Sequence, residues 1–415
     1  MLGTWFEIAL WKRIFGALVL GVIVGMIWGP GTESIAWVGT LFIRLIRMVV
    51  VPLVFVTLIS GVVSMGDPSK LGSLGVRTLA IYMGTTLAAI TIGLILAAIL
   101  QPGVGVDFSS AIPGEVQEAM PLTERLLSIV PSNPIAALAE GNILAIIFFA
   151  LLVGVSLLTL GEKGKPVADL MESSSEMMLR ITHWVMEVAP FGAFSLIAVA
   201  TGTQGVEALS SLFTLAVAVV IGCVAHLIIV HGLLIMHFTL KLSPLMFFRG
   251  ARDAMLVAFS TSSSLAALPV SMSVAEEKLG IKPVVASTVL PLGATINMDG
   301  TAFYVGIVSV FAAQAFDIPL SLTDYLLIAG STTLVSIGTA AVPGASIFLM
   351  SAVMDTIGMA PEQIGLVIGF IFAIDRPLDM LRTSVNVAGD LSVSTAVANW
   401  EGEFDREIFE RKLKV

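Results

Sequence analysis

The sequence predicts an all-α polytopic membrane protein of eight transmembrane helices plus two oppositely oriented re-entrant helical hairpins. Three observations predict it. The 415 residues are 57% hydrophobic and 12% charged, with a mean hydropathy of +0.99, far outside the range of water-soluble domains. The Lys and Arg residues alternate between connections, which sets which segments cross. Two apolar segments are too short to cross twice, yet have both ends on one side. Short alternating strands with aromatic girdles, the mark of an outer-membrane barrel, are not seen. The net charge of −9 comes largely from loops. No basic cluster interleaved with aromatics points to nucleic acid. Cys223 sits in an apolar run, so it reads as neither a disulfide half nor a metal ligand.

The first six spans are expected at about 13–29, 37–65, 76–100, 134–160, 178–203 and 208–238. Residues 1–29 mimic a signal peptide, but no small-residue cleavage site follows and the flanks suit a first span. Lys12/Arg13, Lys70/Arg77, Lys163/Lys165/Arg180 and Lys241/Arg249/Arg252 mark one side. Connections 30–36 and 201–207 carry no Lys or Arg, and 101–133 holds only Arg125 among four acidic residues. An excess of basic residues marks the cytoplasm, so the N-terminus is expected there, as is the basic tail with Arg406, Arg411, Lys412 and Lys414.

Lys241–Arg252 and Lys278/Lys282 then share the cytoplasmic side, and the apolar segment 253–277 between them must dip in and return, because two crossings need about 40 residues. Segment 325–357, bounded by Asp317/Asp324 and Glu362, should dip in from the other side. Their centres are TSSSLAALP (Thr261–Pro269) and SIGTAAVPGAS (Ser336–Ser346). Each precedes a long apolar segment broken by polar residues, NMDGT (Asn297–Thr301) and a stripe in the last span. Hairpin plus broken helix, repeated with opposite sense, is the inverted repeat of secondary transporters. Non-helical backbone at membrane depth persists only where protein or a water-lined cavity satisfies it, so tips and polar segments should meet near the midplane.

The stripe is the strongest functional signal. Asp375, Asp379, Arg382, Asn386 and Asp390 lie at offsets 0, 4, 7, 11 and 15. At about 100° per residue they fall within an arc of about 80°. Each charge at the centre of a spanning helix costs roughly 2.5–3.5 kcal/mol, so four on one stripe need a reason. A polar substrate and its coupling ions supply one. Asp299, Asp375, Asp379 and Asp390 outnumber Arg376 and Arg382, so an anionic substrate would need cations loaded with it. The alternative for Arg382 is a purely structural ion pair with Asp379, three residues away. No histidine lies in the polar motifs, and His183, His226, His231 and His237 read as scaffold or span-end residues. The run Thr261–Ser264 reads as hydroxyl and backbone contacts rather than a nucleophile, and no enzyme is expected. Arg44 and Arg47 are expected to snorkel or face protein.

TSSSLAALP, LPLGATINMDGTAFY, SIGTAAVPGA, DMLRTSVNVAGD and YMGTT (Tyr82–Thr86) together resemble the dicarboxylate/amino acid:cation symporters, the glutamate transporter family, over essentially the whole chain. The resemblance implies a homotrimer in the inner membrane that works by an elevator movement. Residues 1–70 (spans 1–2) and 131–206 (spans 4–5) would form the static scaffold. Residues 71–105 (span 3) and 207–415 (span 6, hairpin 1, span 7, hairpin 2, span 8) would move as the transport domain. It implies that Arg382 holds the substrate's side-chain carboxylate and Asp379 its α-amino group, with Thr383, Asn386, Thr301, Ser264 and Val342 completing the pocket. Relatives that carry C4-dicarboxylates generally lack this Asp, so aspartate or glutamate is favoured. Three sodium cages are implied: Asp390, Asn386, Asn297 and the Gly293 carbonyl; Thr295 with Ser336, Ile337 and Thr339; and Asp299 with Asn297, Tyr82, Thr85 and Thr86. Protons are the alternative coupling ion. Departures from relatives are Ser262 and Met380, where an Arg is found in some, and Arg376 one turn before Asp379. An anion channel lined by the two hairpins is the rival of a different class.

Overall fold

The computed structural model describes residues 8, 10–64, 68–106, 127–205, 207–337 and 345–413, which are helical apart from turns, short connections and the isolated bridge Ile281–Phe404. Among the described residues, five stretches are long and apolar enough to cross a bilayer: Leu10–Val63, Leu74–Leu100, Ile143–Lys163, Ser210–Thr239 and Pro283–Ala315. A bent pair, Lys165–Glu187 with Ala189–Thr203, makes a sixth.

Helix α1 (Leu10–Trp28) joins α2 (Ala36–Ser64) through a 3₁₀ segment, Gly29–Ile35. Helix α3 is Pro68–Leu100. The expected fourth span is two helices, α4 (Pro134–Glu140) and α5 (Ile143–Leu160). Gly141 at φ +75° stops the first, and the Asn142 side chain accepts from the Ala145 N–H to start the second. The expected fifth span is also two, α6 (Lys165–Glu187) and α7 (Ala189–Gln204), bent by 48°. Pro190 in the first turn of α7 lacks the N–H that would continue the ladder of α6. Helix α1 packs on α7, and α2 on α5, α6 and α7. Arg13 on α1 is paired with Glu187 on α6 at 2.6 Å.

Helix α8 (Glu207–His226) continues directly into a π-helix, Leu227–Thr239. Helices α9 (Pro244–Thr261) and α10 (Ser264–Glu277) pack on one another. This hairpin begins nine residues before the expected 253, because the Ser243 side chain caps the Met246 N–H and Pro244 opens the helix. Helices α11 (Pro283–Ile296) and α12 (Asp299–Ala315) are separated by Asn297 and Met298, both outside helical geometry (ψ +77° and +53°). The break in the seventh apolar segment is therefore real. Helices α13 (Leu322–Ile337) and α14 (Ala345–Thr356) pack on each other and on α12. Helix α15 (Pro361–Glu401) runs for 41 residues, roughly 60 Å at 1.5 Å per residue, and ends on Gly402 at φ +75°. Helix α16 is Arg406–Leu413.

The apolar residues form two cores. One holds residues of α1–α8, α12–α14 and the first half of α15 up to Val385. The other holds the π-helix, α9–α11 and α15 from Val387 onward. The Asn297–Met298 break and the centre of the α15 stripe both fall where the two cores meet. Charged ends gather beyond the second core. Arg77 pairs with Glu401 (3.0 Å), Lys282 with Glu403 (2.7 Å), and the Arg406 guanidinium donates to the Lys241 carbonyl (3.2 Å).

Candidate functional site

Asp375, Asp379, Arg382, Asn386 and Asp390 are all buried along one face of α15, as the helical period requires. Arg382 is wholly buried, and its five N–H donors can be followed one by one. Nε–H donates to the Leu378 carbonyl at 3.3 Å. Nη2 donates to Asp375 Oδ1 at 2.9 Å and to Asp379 Oδ1 at 3.1 Å. Nη1 has no hydrogen-bond partner among the described residues. The guanidinium carbon stands 3.6 Å above the centroid of the Tyr304 ring, so α12 covers one face of the plane. Arg376 Nη1 lies 3.7 Å from Asp379 Oδ2. The ion pair that sequence reasoning set against a substrate role is thus formed, and Asp375 shares it. The pair leaves half of the guanidinium fork unused.

Polar groups then surround the α11–α12 break. Asn297 Nδ2 donates to Asp390 Oδ1 (3.0 Å), and the Thr85 hydroxyl is shared between the Tyr82 carbonyl (3.1 Å) and Asn297 Oδ1 (3.3 Å). Asn386 Oδ1 accepts from the Gly300 N–H (2.7 Å), while its Nδ2 points at the Met298 sulfur (3.2 Å). The Tyr82 hydroxyl donates to the Val289 carbonyl (3.0 Å). Gly293 has no room for a side chain: a Cβ there would lie 2.4 Å from both Asp390 Oδ1 and Tyr82 Oη. Asp390, Asn297 and Gly293 lie together, Asn386 reaches the same break through Gly300, and the Gly293 carbonyl accepts from the Asn297 N–H (2.9 Å); carboxylate and amide oxygens are the donors a hard cation takes.

Thr86 donates to Asp299 Oδ1 at 2.7 Å. The other carboxylate oxygen corrects the sequence reading. His226 Nε2 lies 3.0 Å and His231 Nε2 3.5 Å from Asp299 Oδ2, and both rings are buried. Both rings therefore lie against a candidate site residue rather than in scaffold or span-end positions. An α-helix puts residues five apart about 140° around the axis. The i→i+5 hydrogen bonding of the Leu227–Thr239 segment instead stacks them a turn apart on one face. Their ring centroids are 4.7 Å apart. Nothing in the apolar pattern around them announces that register.

Thr301 and Thr383 are buried beside the stripe, with Thr383 donating to the Asp379 carbonyl at 2.8 Å. Ser264 is buried in the first turn of α10, behind Ser263, whose side chain accepts from the Ala266 N–H. Ser262 turns the hairpin at φ +52°, a left-handed conformation unusual for serine. The Ser384 hydroxyl donates to the Met255 carbonyl (2.8 Å) and ties α9 to α15. Thr295 and Ser336 turn their hydroxyls back onto their own helices, to Leu292 (3.0 Å) and Thr333 (2.8 Å), while α11 and α13 touch. Thr339 and Val342 lie outside the described residues, as does the side chain of Ile337. A cavity of about 640 Å³ lies elsewhere, lined by Arg47 on α2, Glu140 at the end of α4 and Asp355 on α14.

The model of the sodium:dicarboxylate symporter family matches residues 10–400. A proton/sodium-glutamate symport protein of Bacillus caldotenax is 35% identical, over 97% of this chain and 96% of its own. A proton/glutamate-aspartate symporter of Escherichia coli (strain K12) is 34% identical, over 96% and 94%. A C4-dicarboxylate transport protein of Bacillus subtilis (strain 168) is 32% identical, over 95% and 94%. With a buried guanidinium between two carboxylates, a broken helix ringed by amide and hydroxyl groups, and a family match along nearly its whole length, the chain is a transporter rather than an enzyme and belongs to the sodium:dicarboxylate symporter family.

Proposed function

We propose that this protein is a secondary active symporter that imports aspartate or glutamate together with sodium ions. The observation that carries the reading is Arg382 Nη1, a charged donor pair wholly buried with no hydrogen-bond partner among the described residues. Buried polar groups are nearly always satisfied, and a planar guanidinium edge matches a carboxylate. Asp379, bonded to the same guanidinium, complements an ammonium group. That favours an amino acid over a plain dicarboxylate, although relatives of both names exist. Ser264, Thr301, Val342, Thr383 and Asn386 complete the pocket.

Sodium is assigned to Asp390, Asn386, Asn297 and the Gly293 carbonyl, and to Thr295, Ser336, Ile337 and Thr339. The third cage of Asp299, Asn297, Tyr82, Thr85 and Thr86 has two imidazole nitrogens added to its oxygens, so sodium fits it least well. Protons as the coupling ion are the second reading, favoured by those imidazoles and by the proton/sodium names of relatives.

The fold is read as eight spans plus two re-entrant hairpins, α9–α10 and α13–α14, meeting where the two cores join. Residues 1–70 and 131–206 act as a trimeric scaffold in the inner membrane, and 71–105 with 207–415 move as an elevator. The clustering of Arg77, Lys282 and Arg406 at one end supports a cytoplasmic C-terminus. Uptake of labelled aspartate into proteoliposomes tests the coupling. Accumulation that requires an inward sodium gradient is expected. Strong uptake in sodium-free buffer under a proton gradient would replace sodium with protons, and flux without accumulation would indicate a channel.

A further inference from the structure

The histidine–aspartate cluster at the start of α12 is built like a transition-metal site. His226 Nε2, His231 Nε2 and Asp299 Oδ2 stand at 3.0, 3.1 and 3.5 Å from one another. The point equidistant from all three in their plane is about 1.9 Å from each, against the roughly 2.0–2.2 Å at which Zn²⁺ takes His nitrogen and carboxylate oxygen. An ion slightly above that plane reaches all three and keeps a fourth position open.

The surroundings orient these atoms. The Ser392 hydroxyl has one hydrogen and donates it to the Gly389 carbonyl at 3.0 Å. While that hydrogen stays on Gly389, the 2.7 Å contact between Ser392 Oγ and His231 Nδ1 is donated by the ring, and the lone pair of His231 is on Nε2, facing His226 and Asp299. Thr86 holds the other Asp299 oxygen at 2.7 Å. This is the outer-shell support that fixes metal-binding histidines and carboxylates. His226 Nδ1 is buried without a partner, and the ring proton moves there when Nε2 binds an ion.

We propose that His226, His231 and Asp299 bind one divalent transition ion of the zinc class, which pins the π-helix to α12. Two nitrogens and one carboxylate oxygen favour such an ion over sodium or magnesium, which prefer all-oxygen shells. With the ion bound, the break at Asn297–Met298 is clamped from one side and transport stops. The proposal does not rest on the substrate or sodium assignments.

The test uses full-length protein in nanodiscs, sodium-free and without a polyhistidine tag, with the exposed His183 and His237 replaced by Gln as the reference background. Equilibrium dialysis should find one zinc per chain, and Co²⁺ should give the visible bands of a tetrahedral complex. His226→Gln and His231→Gln should each weaken zinc by more than the roughly 10–100-fold that loss of an outer-shell partner costs, and Ser392→Ala by about 10-fold. His231→Cys should keep the metal and add a thiolate charge-transfer band to the cobalt spectrum, which guards against a variant that merely misfolds. No stoichiometric zinc in the reference protein, unchanged affinity in both Gln variants, or bound cobalt without a thiolate band in His231→Cys would each overturn the site.

Discussion

Replacing Arg382 by lysine keeps the positive charge and removes the fork. The structure allows the consequence to be worked out. In the wild type, Nη2 serves Asp375 and Asp379, Nε serves Leu378, and the two Nη1 donors have no partner among the described residues. In the proposed reading, a substrate carboxylate binds at Nη1. A lysine has three donors and must spend two on Asp375 and Asp379, with a single nitrogen that cannot present a planar edge. At least one charged hydrogen bond to the substrate is lost, worth about 1.5–3 kcal/mol, or about 10- to 150-fold in affinity. The Asp375–Asp379 charge stays compensated, so the fold should hold. Arg382→Ala differs, because deleting one member of a buried pair costs roughly 3–5 kcal/mol of stability. The assay is a calorimetric titration of aspartate and serine in saturating sodium, with a thermal melt of each variant. Arg382→Lys should melt near the wild type and lose aspartate affinity by the stated factor. A folded variant binding aspartate within two- to three-fold of wild type would refute the role given to Nη1.

Two further outcomes follow from the same geometry. Asp379→Asn should weaken aspartate by at least about 10-fold while competition by succinate holds or strengthens, because the amine loses a charged partner whereas the positive charge of Arg382 and Arg376, released from Asp379, favours an anion; equal losses for both in competition uptake would remove Asp379 from amine recognition. Gly293→Ala forces a methyl to within 2.4 Å of Asp390 Oδ1 and Tyr82 Oη, which should cost about 1–3 kcal/mol of stability and raise the sodium concentration for half-maximal uptake. Normal melting and sodium dependence in that variant would show that α11 does not crowd a cation site.

The polar stripe was legible because its geometry is local. An α-helix rotates about 100° per residue whatever surrounds it, so Asp375 through Asp390 share a face by spacing alone. The breaks at Ser262 and Asn297 were legible for a similar reason, since polar words inside apolar runs need satisfied backbone. The bends at Gly141 and Val188 were missed. Apolar length alone reads α4–α5 and α6–α7 as single spans, and the capping that divides them is a matter of one or two residues. The hairpin tips at Thr339 and Val342 lie outside the described residues.

Sequence by itself determined that this chain lives in a bilayer, which segments are apolar, and which face of the last helix carries charge, because hydropathy and helical period are properties of short segments. Tertiary structure decided the partners. Asp375 joining Arg382, Tyr304 covering its plane, and two histidines closing on Asp299 depend on how distant helices cross. The last also depends on a π-helical register, which forms where packing rather than residue spacing selects the hydrogen-bond ladder.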